Sequence, residues 1–188
     1  MAKKAQSTLI NMLLSLTIIA VVAAAALAFV NAVTAEPIAQ AQKAKKEAAI
    51  KAVLPAFDRI EETTIDGTAC TKAFDAQGNL IGMAIEASTE KGFGGHLAAM
   101  VGFDTEGNIA GYQILETAET PGLGAKAGEW FQKGNKGDVI GMNPSSELKV
   151  KKDGGNVDAI SGSTITSRAF CALINNAYQT FKKGENVQ

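Results

Sequence analysis

The sequence predicts an α+β chain: one membrane-spanning helix at the N-terminus, then a single domain with an antiparallel sheet and flanking helices. Three observations carry this. The run from residue 9 to 31 is apolar and holds no charged side chain. Two similar segments in the middle of the chain each join a Gly-Asn turn to an apolar run of strand length. From residue 161 onward, apolar side chains return at helical spacing.

The span comes first. Leu9–Val30 is about as long as a helix needs to be to cross a bilayer, and Asn11, Ser15 and Thr17 are its polar side chains. Val33-Thr34-Ala35 resembles a signal-peptide cleavage site, so a removed leader stands as the alternative. The length of the apolar run exceeds a typical leader and favours a retained anchor at 9–31. Lys3 and Lys4 favour a cytoplasmic segment 1–8. Lys43, Lys45, Lys46 and Lys51 beyond the other end leave the charge rule undecided.

Residues 36–60 read as a juxtamembrane helix and linker, with the folded domain over 61–188. Pro37 is tolerated in a first turn, and the Ala, Lys, Glu and Gln that follow to Val53 propagate a helix well. Pro55 ends it. Asp75-Ala-Gln-Gly78-Asn79-Leu80 is echoed by Asp104-Thr-Glu-Gly107-Asn108-Ile109. Each pair of flanking runs predicts an antiparallel hairpin, with strands at Ala69–Phe74, Leu80–Ala87, His96–Phe103 and Ile109–Leu115.

Lys91-Gly92-Phe93-Gly94-Gly95-His96 reads as a flexible crossing between the hairpins. It precedes a strand and lacks the spacing of a dinucleotide fingerprint. Glu119-Thr120-Pro121-Gly122-Leu123-Gly124 follows the last strand, and Pro-Gly marks a turn. A helix is expected around Ala127–Gln132, with Trp130-Phe131 as core packing. The polar stretch Lys133–Gly155 offers two short strands, Val139–Met142 and Leu148–Val150.

Asp158-Ala159-Ile160-Ser161-Gly162-Ser163-Thr164-Ile165-Thr166-Ser167 then crowds hydroxyls ahead of the last helix. Ser161 is the expected N-cap. Ile165, Phe170, Leu173, Ile174, Ala177 and Phe181 are the expected core face. A helix start offers unpaired N–H groups and a positive dipole end, which seats a phosphate, although the same cluster can serve simply as a cap.

Composition excludes several classes. With 18 basic and 19 acidic residues there is no nucleic-acid footprint. A single histidine, His96, rules out a histidine-rich metal site or a histidine triad. Cys70 and Cys171 lack metal or redox spacing, and Cys171 reads as core filler. No catalytic residue is assigned.

Asp158-x-x-Ser161-Gly162-x-Thr164 resembles the flavinylation signature of bacterial FMN-binding domains, with Ser163 where alanine is usual. Glu119-Thr120-Pro121-Gly122-Leu123-Gly124 resembles the second hallmark of that family. The resemblance runs from about Ala69 to Phe181. In length and layout it is nearest the G subunits of Rnf-type electron-transport complexes, with the C subunits of sodium-pumping NADH:quinone oxidoreductases as the related group. It implies FMN joined by a phosphoester to Thr164, with Thr166 as the backup acceptor and Asp158 read by a flavin transferase. It implies flavin contacts from Ser161, Gly162, Ser163, Glu119, Thr120, Gly122, Leu123 and Gly124. Gly94 and Gly95 would lie in a turn against the ring. The implied role is an electron carrier on the extracytoplasmic side of a bacterial or archaeal membrane. Its partners would be integral-membrane and iron–sulfur subunits of an ion-pumping ferredoxin:NAD oxidoreductase. A stand-alone membrane-anchored flavoprotein reductase or regulator, and a tethered binding module whose hydroxyl cluster is only a cap, are the other readings.

Overall fold

The computed structural model describes residues 8–185. Lys3 and Lys4, on which the expected cytoplasmic segment rests, lie outside the described residues. The chain divides into two compact units, Met1–Ala44 and Lys45–Gln188.

From Leu9 onward the first unit is helical and belongs to α1 (Leu9–Val53). Pro37 lies inside this helix, so the juxtamembrane helix expected to begin there continues the apolar one. The alanine-rich, glutamine- and lysine-containing sequence around Pro37 propagates well enough to absorb one lost hydrogen bond. The apolar side chains from Leu9 to Val33 are exposed all round the helix. Its hydroxyls turn back on the backbone: Ser15 Oγ donates to Met12 O (3.0 Å), and Thr17 Oγ1 donates to Leu13 O (2.9 Å). A helix apolar on every side with its polar groups satisfied internally is suited to lipid.

The second unit is built on a five-stranded antiparallel sheet in chain order: β1 (Arg59–Ile65), β2 (Thr68–Phe74), β3 (Leu80–Thr89), β4 (Leu97–Asp104) and β5 (Ile109–Thr117). The four expected strands lie within a residue or two of their predicted bounds. β1 is the addition. Six of its seven residues are exposed, so it carries no alternating pattern to betray it. It begins at Arg59 and pairs with β2 along its whole length. The paired turns are twins. Asp75 Oδ1 accepts from the N–H groups of Gln77 (2.9 Å) and Asn79 (2.8 Å). Asp104 Oδ1 accepts from those of Glu106 (2.9 Å) and Asn108 (2.8 Å).

Strand side chains alternate between two cores, as the pleat requires. One face of the sheet presents Met83, Ile85, Leu97, Val101 and Phe103 to the C-terminal helix α3 (Thr164–Glu185). Phe103 meets Tyr178 and Phe181 at centroid distances of 5.8 and 5.2 Å. The other face presents Ala73, Ala84, Ala98 and Met100 to Ala49, Ile50, Val53 and Leu54 at the end of α1. Gly102 and Gly111 face each other across β4 and β5 where that end lies. A Cβ on Gly102 would stand 2.0 Å from Val53 O, so glycine is required for the close approach.

After β5 the chain forms a short 3-10 turn and α2 (Ala127–Trp130), shorter than the helix expected to Gln132. Phe131 is fully buried and lies flat on Phe170, as core packing predicts. The two short strands expected in 139–150 are absent among the described residues. Residues 139–142 make a turn fastened to β5 by the Ile109 N–H to Met142 O (2.9 Å) and Gly141 N–H to Ile109 O (2.7 Å) bonds. Val150 makes only an isolated parallel bridge with Val157. Glycines and polar residues there leave too few consecutive apolar side chains for a strand.

Candidate functional site

Three segments meet beside the first turn of α3 and leave a cleft of about 350 Å³. They are the glycine-rich crossing after β3, the loop after β5, and the hydroxyl-rich approach to α3. Gly92 and Gly95 exchange backbone hydrogen bonds (3.1 and 3.2 Å), closing a tight loop with Phe93 at its tip. Gly94 packs against the second segment, where a Cβ would stand 2.1 Å from Ala118 O. In that segment Thr120 O accepts from the N–H groups of Leu123 (3.1 Å) and Ala125 (3.2 Å).

α3 begins at Thr164, so its cap position falls to Ser163 rather than to the expected Ser161. Ser161 is exposed in the preceding turn, and Gly162 takes φ +77° there. The turn is fastened by Ser167, which sequence reasoning did not single out. Its hydroxyl accepts from Ile160 N–H (2.9 Å) and donates to Ser163 O (2.9 Å). The first N–H groups of a helix have no acceptor within it, so the start of α3 presents donors beside Thr164.

The helix phase differs from the expected one at a single position. Phe170, Leu173, Ile174, Ala177 and Phe181 are buried, whereas Ile165 is half exposed. Thr166, four residues before Phe170, occupies the inward face and is fully buried. Ile165, five before, turns to the cleft. There it joins Phe93 and Leu123 as an exposed apolar group.

Polar groups form the floor. Glu119 is buried, with one carboxyl oxygen beside Gly92 and the other beside Gly124, which Thr166 Oγ1 also approaches. Among the described residues, the buried side-chain N or O atoms without a hydrogen-bond partner are Glu119 Oε1 and Thr166 Oγ1, and both residues line this cleft. Buried polar atoms are ordinarily paired, so two orphans in one cleft point to a ligand that completes them. The ammonium of Lys152 stands 3.5 Å from Thr164 Oγ1 at the other side.

Of the residues expected to serve the site, Glu119, Thr120, Leu123, Gly124, Gly162, Ser163, Thr164 and Thr166 line the cleft. Ser161, Gly122, Gly94, Gly95 and Asp158 stand outside the lining. Gly94 and Gly95 shape the loop that carries Phe93. The Asp158 carboxylate pairs with Lys151 (2.6 Å), and its carbonyl accepts from Trp130 Nε1 (2.8 Å). Phe93, Ile165 and Lys152 line the cleft and were not expected. Exposed apolar groups over orphaned polar atoms, with a helix start and an ammonium at one end, suit a flat ligand with polar edges and an anionic tail. FMN has that chemistry, and the residues present fit it.

Residues 92–179 match the model of the FMN-binding domain family, a stretch that holds every cleft residue named above. The chain is 30% identical to the G subunit of the Na⁺-translocating ferredoxin:NAD⁺ oxidoreductase complex of Acetobacterium woodii, over 90% of this chain and 89% of that protein. It is 30% identical to the G subunit of an ion-translocating oxidoreductase complex of Methanosarcina acetivorans, over 89% of this chain and 91% of the other. The corresponding G subunit of Shewanella baltica is 36% identical across 57% of this chain; there the match spans 52% of the relative, about half its length. The chain belongs to the family of G subunits of ion-translocating oxidoreductase complexes.

Proposed function

We propose that this protein is the electron-carrying subunit of a membrane-bound, ion-pumping ferredoxin:NAD oxidoreductase, and that its FMN is attached to Thr164 by a phosphoester. The observation that carries this is the pairing of orphaned floor atoms, Glu119 Oε1 and Thr166 Oγ1, with an acceptor hydroxyl at the mouth of the same cleft. FMN supplies one- and two-electron transfer when bound; the chain supplies position, exclusion of water and a local field. Phe93, Leu123 and Ile165 shield an isoalloxazine face. Glu119 and Thr166 meet its polar edges or ribityl chain. The start of α3 receives the phosphate. Thr166 is the less suitable acceptor because it is fully buried, whereas Thr164 is half-buried.

Attachment requires an activated flavin phosphate. Thr164 would supply the ester oxygen; a flavin transferase would supply the flavin phosphate bearing a leaving group that departs as the ester forms, and would take up the hydroxyl proton. The reading puts the domain on the extracytoplasmic side, where a dissociable cofactor would be lost by dilution. The anchor helix and the domain surface would meet integral-membrane and iron–sulfur subunits of the complex.

The test is co-expression of the full chain with a flavin transferase, followed by denaturing electrophoresis under ultraviolet light and intact-mass measurement. A fluorescent band with the mass of one FMN phosphoryl adduct is expected for the wild type and for Thr166→Val. Thr164→Val should lack both. A bare wild-type polypeptide in the presence of active transferase overturns the proposal.

A further inference from the structure

The three residues Lys151, Lys152 and Asp153 form a 3-10 turn that touches the flavinylation segment at two points and α3 beyond it at a third. Lys151 Nζ pairs with Asp158 Oδ2 at 2.6 Å. Lys152 Nζ stands 3.5 Å from Thr164 Oγ1. Asp153 takes a two-pronged bond from Arg168, with Nε to Oδ2 at 2.7 Å and Nη2 to Oδ1 at 2.6 Å. We propose that Lys152 is the cationic seat of the phosphoryl group at Thr164, held in register by the ion pairs of its two chain neighbours. This rests on the reading that Thr164 carries the FMN phosphate.

The geometry separates the roles of the nearby cations. Arg168 lies one helical turn beyond Thr164 on α3, so its fork with Asp153 fixes the height of the turn along the helix. The Lys151–Asp158 pair fixes the other end against the approach to α3. The backbone is pinned as well: Lys151 N–H donates to Val157 O (2.9 Å), and Val157 N–H donates to Lys149 O (3.1 Å). Lys151 and Arg168 are thereby engaged. Lys152 forms no salt bridge among the described residues; it lines the cleft, with its ammonium toward Thr164 Oγ1. An ammonium has three donors, and a weak contact to one hydroxyl leaves the others for non-bridging phosphate oxygens. The phosphodiester keeps one negative charge, which the N–H donors at the start of α3 meet from one side. A second donor from the opposite side closes that seat. Before attachment the same ammonium donates to Thr164 Oγ1, which turns the hydroxyl proton away from Lys152. Lys152 is thus a positioning residue for the acceptor and a counter-charge for the product.

The test uses the full chain with the transferase. The wild type is compared with Lys152→Gln, Lys152→Arg and Thr164→Val by rate of flavin incorporation, ³¹P NMR of the loaded protein and thermal melting. Lys152 is exposed, so Lys152→Gln should melt as the wild type does. Its loading should slow about tenfold, the size of one charge-assisted hydrogen bond. The phosphodiester resonance should move, and Lys152→Arg should restore both. Wild-type loading with an unmoved resonance in Lys152→Gln overturns the inference while leaving Thr164 as the acceptor. Slower loading with an unmoved resonance assigns Lys152 to contact with the transferase and equally overturns it. Loss of melting temperature without rescue by arginine makes the role structural and overturns it too. Absence of flavin from the wild type itself is the separate failure of the reading beneath.

Discussion

Gly124 and Glu119 share one small space: a Cβ on Gly124 would stand 2.3 Å from Glu119 Oε2 and 2.7 Å from Thr166 Oγ1. The intruded atoms are the ends of side chains, so the loop backbone need not move. Gly124→Ala should therefore displace the Glu119 carboxyl group and leave the sheet intact. Melting should change by less than about 1 kcal/mol, while the flavin absorption band of the loaded protein shifts. Glu119→Gln in the same background removes a carboxyl group facing the site. A carboxylate there disfavours an anionic reduced ring, so the midpoint potential should rise. Spectroelectrochemistry of the loaded domain checks both.

Asn175 acts as a stand-in for a strand partner. Its Oδ1 accepts from Leu148 N–H (2.9 Å), and its Nδ2 donates to Leu148 O (3.0 Å). Leu148 is buried, and the Asn175 amide occupies both of its backbone groups. Asn175→Ala should cost roughly 2 kcal/mol, two net hydrogen bonds plus the burden of unpaired groups. Calorimetry should show a fall of roughly 5 °C. Asn175→Asp, which keeps the acceptor and loses the donor, should fall between.

Cys70 and Cys171 are both buried and both free. Burial pushes both thiols up, that of Cys171 to about 12. The thiolate is the reactive form, so neither should titrate with a disulfide reagent near neutral pH in the native chain. Two thiols should appear together on unfolding in guanidinium. Early release of one would show that β2 or α3 opens locally.

How much was legible follows from what each element buries. Two hairpins are readable because the Asp-x-x-Gly-Asn turns announce themselves and Met83, Ile85, Val101 and Phe103 alternate with the opposite face. β1 is not, because Arg59–Thr64 is exposed and carries no pattern. The cleft is half legible. The segments at 119–124 and 158–167 are readable as motifs, but motifs do not say which way a side chain turns. Ile165 reads as core because it is apolar; the phase set by Phe170 and Leu173 puts Thr166 inside instead. That signal is present in the spacing. Lys152 and Phe93 are not recoverable, since each reaches the cleft by a loop whose path depends on contacts distant in sequence, such as Asp153 with Arg168.

His96 joins the two ends of the loop that carries Phe93 into the cleft. Its Nδ1 lies 2.6 Å from Glu90 Oε1, and its Nε2 lies 3.6 Å from Glu116 Oε2 on β5. The hydrogen bond with Glu90 raises its pKa above the ordinary 6.5; desolvation opposes this, and the charges of Glu90 and then Glu116 add to it. A group whose pKa is raised on folding contributes its stability fully below the unfolded value. It loses that contribution as pH climbs through the folded one. The clasp should thus be closed below the raised folded midpoint and open above it. As the single histidine of the chain, His96 gives one unambiguous set of ring resonances. Their NMR titration should report a midpoint above 6.5 in the wild type. Glu90→Gln should bring that midpoint back toward the ordinary value. Amide exchange at Gly92 to Gly95 should quicken over the same pH interval in the wild type and lose that dependence in the variant. A midpoint at or below the ordinary value in the wild type would mean that the Glu90 contact does not form in solution.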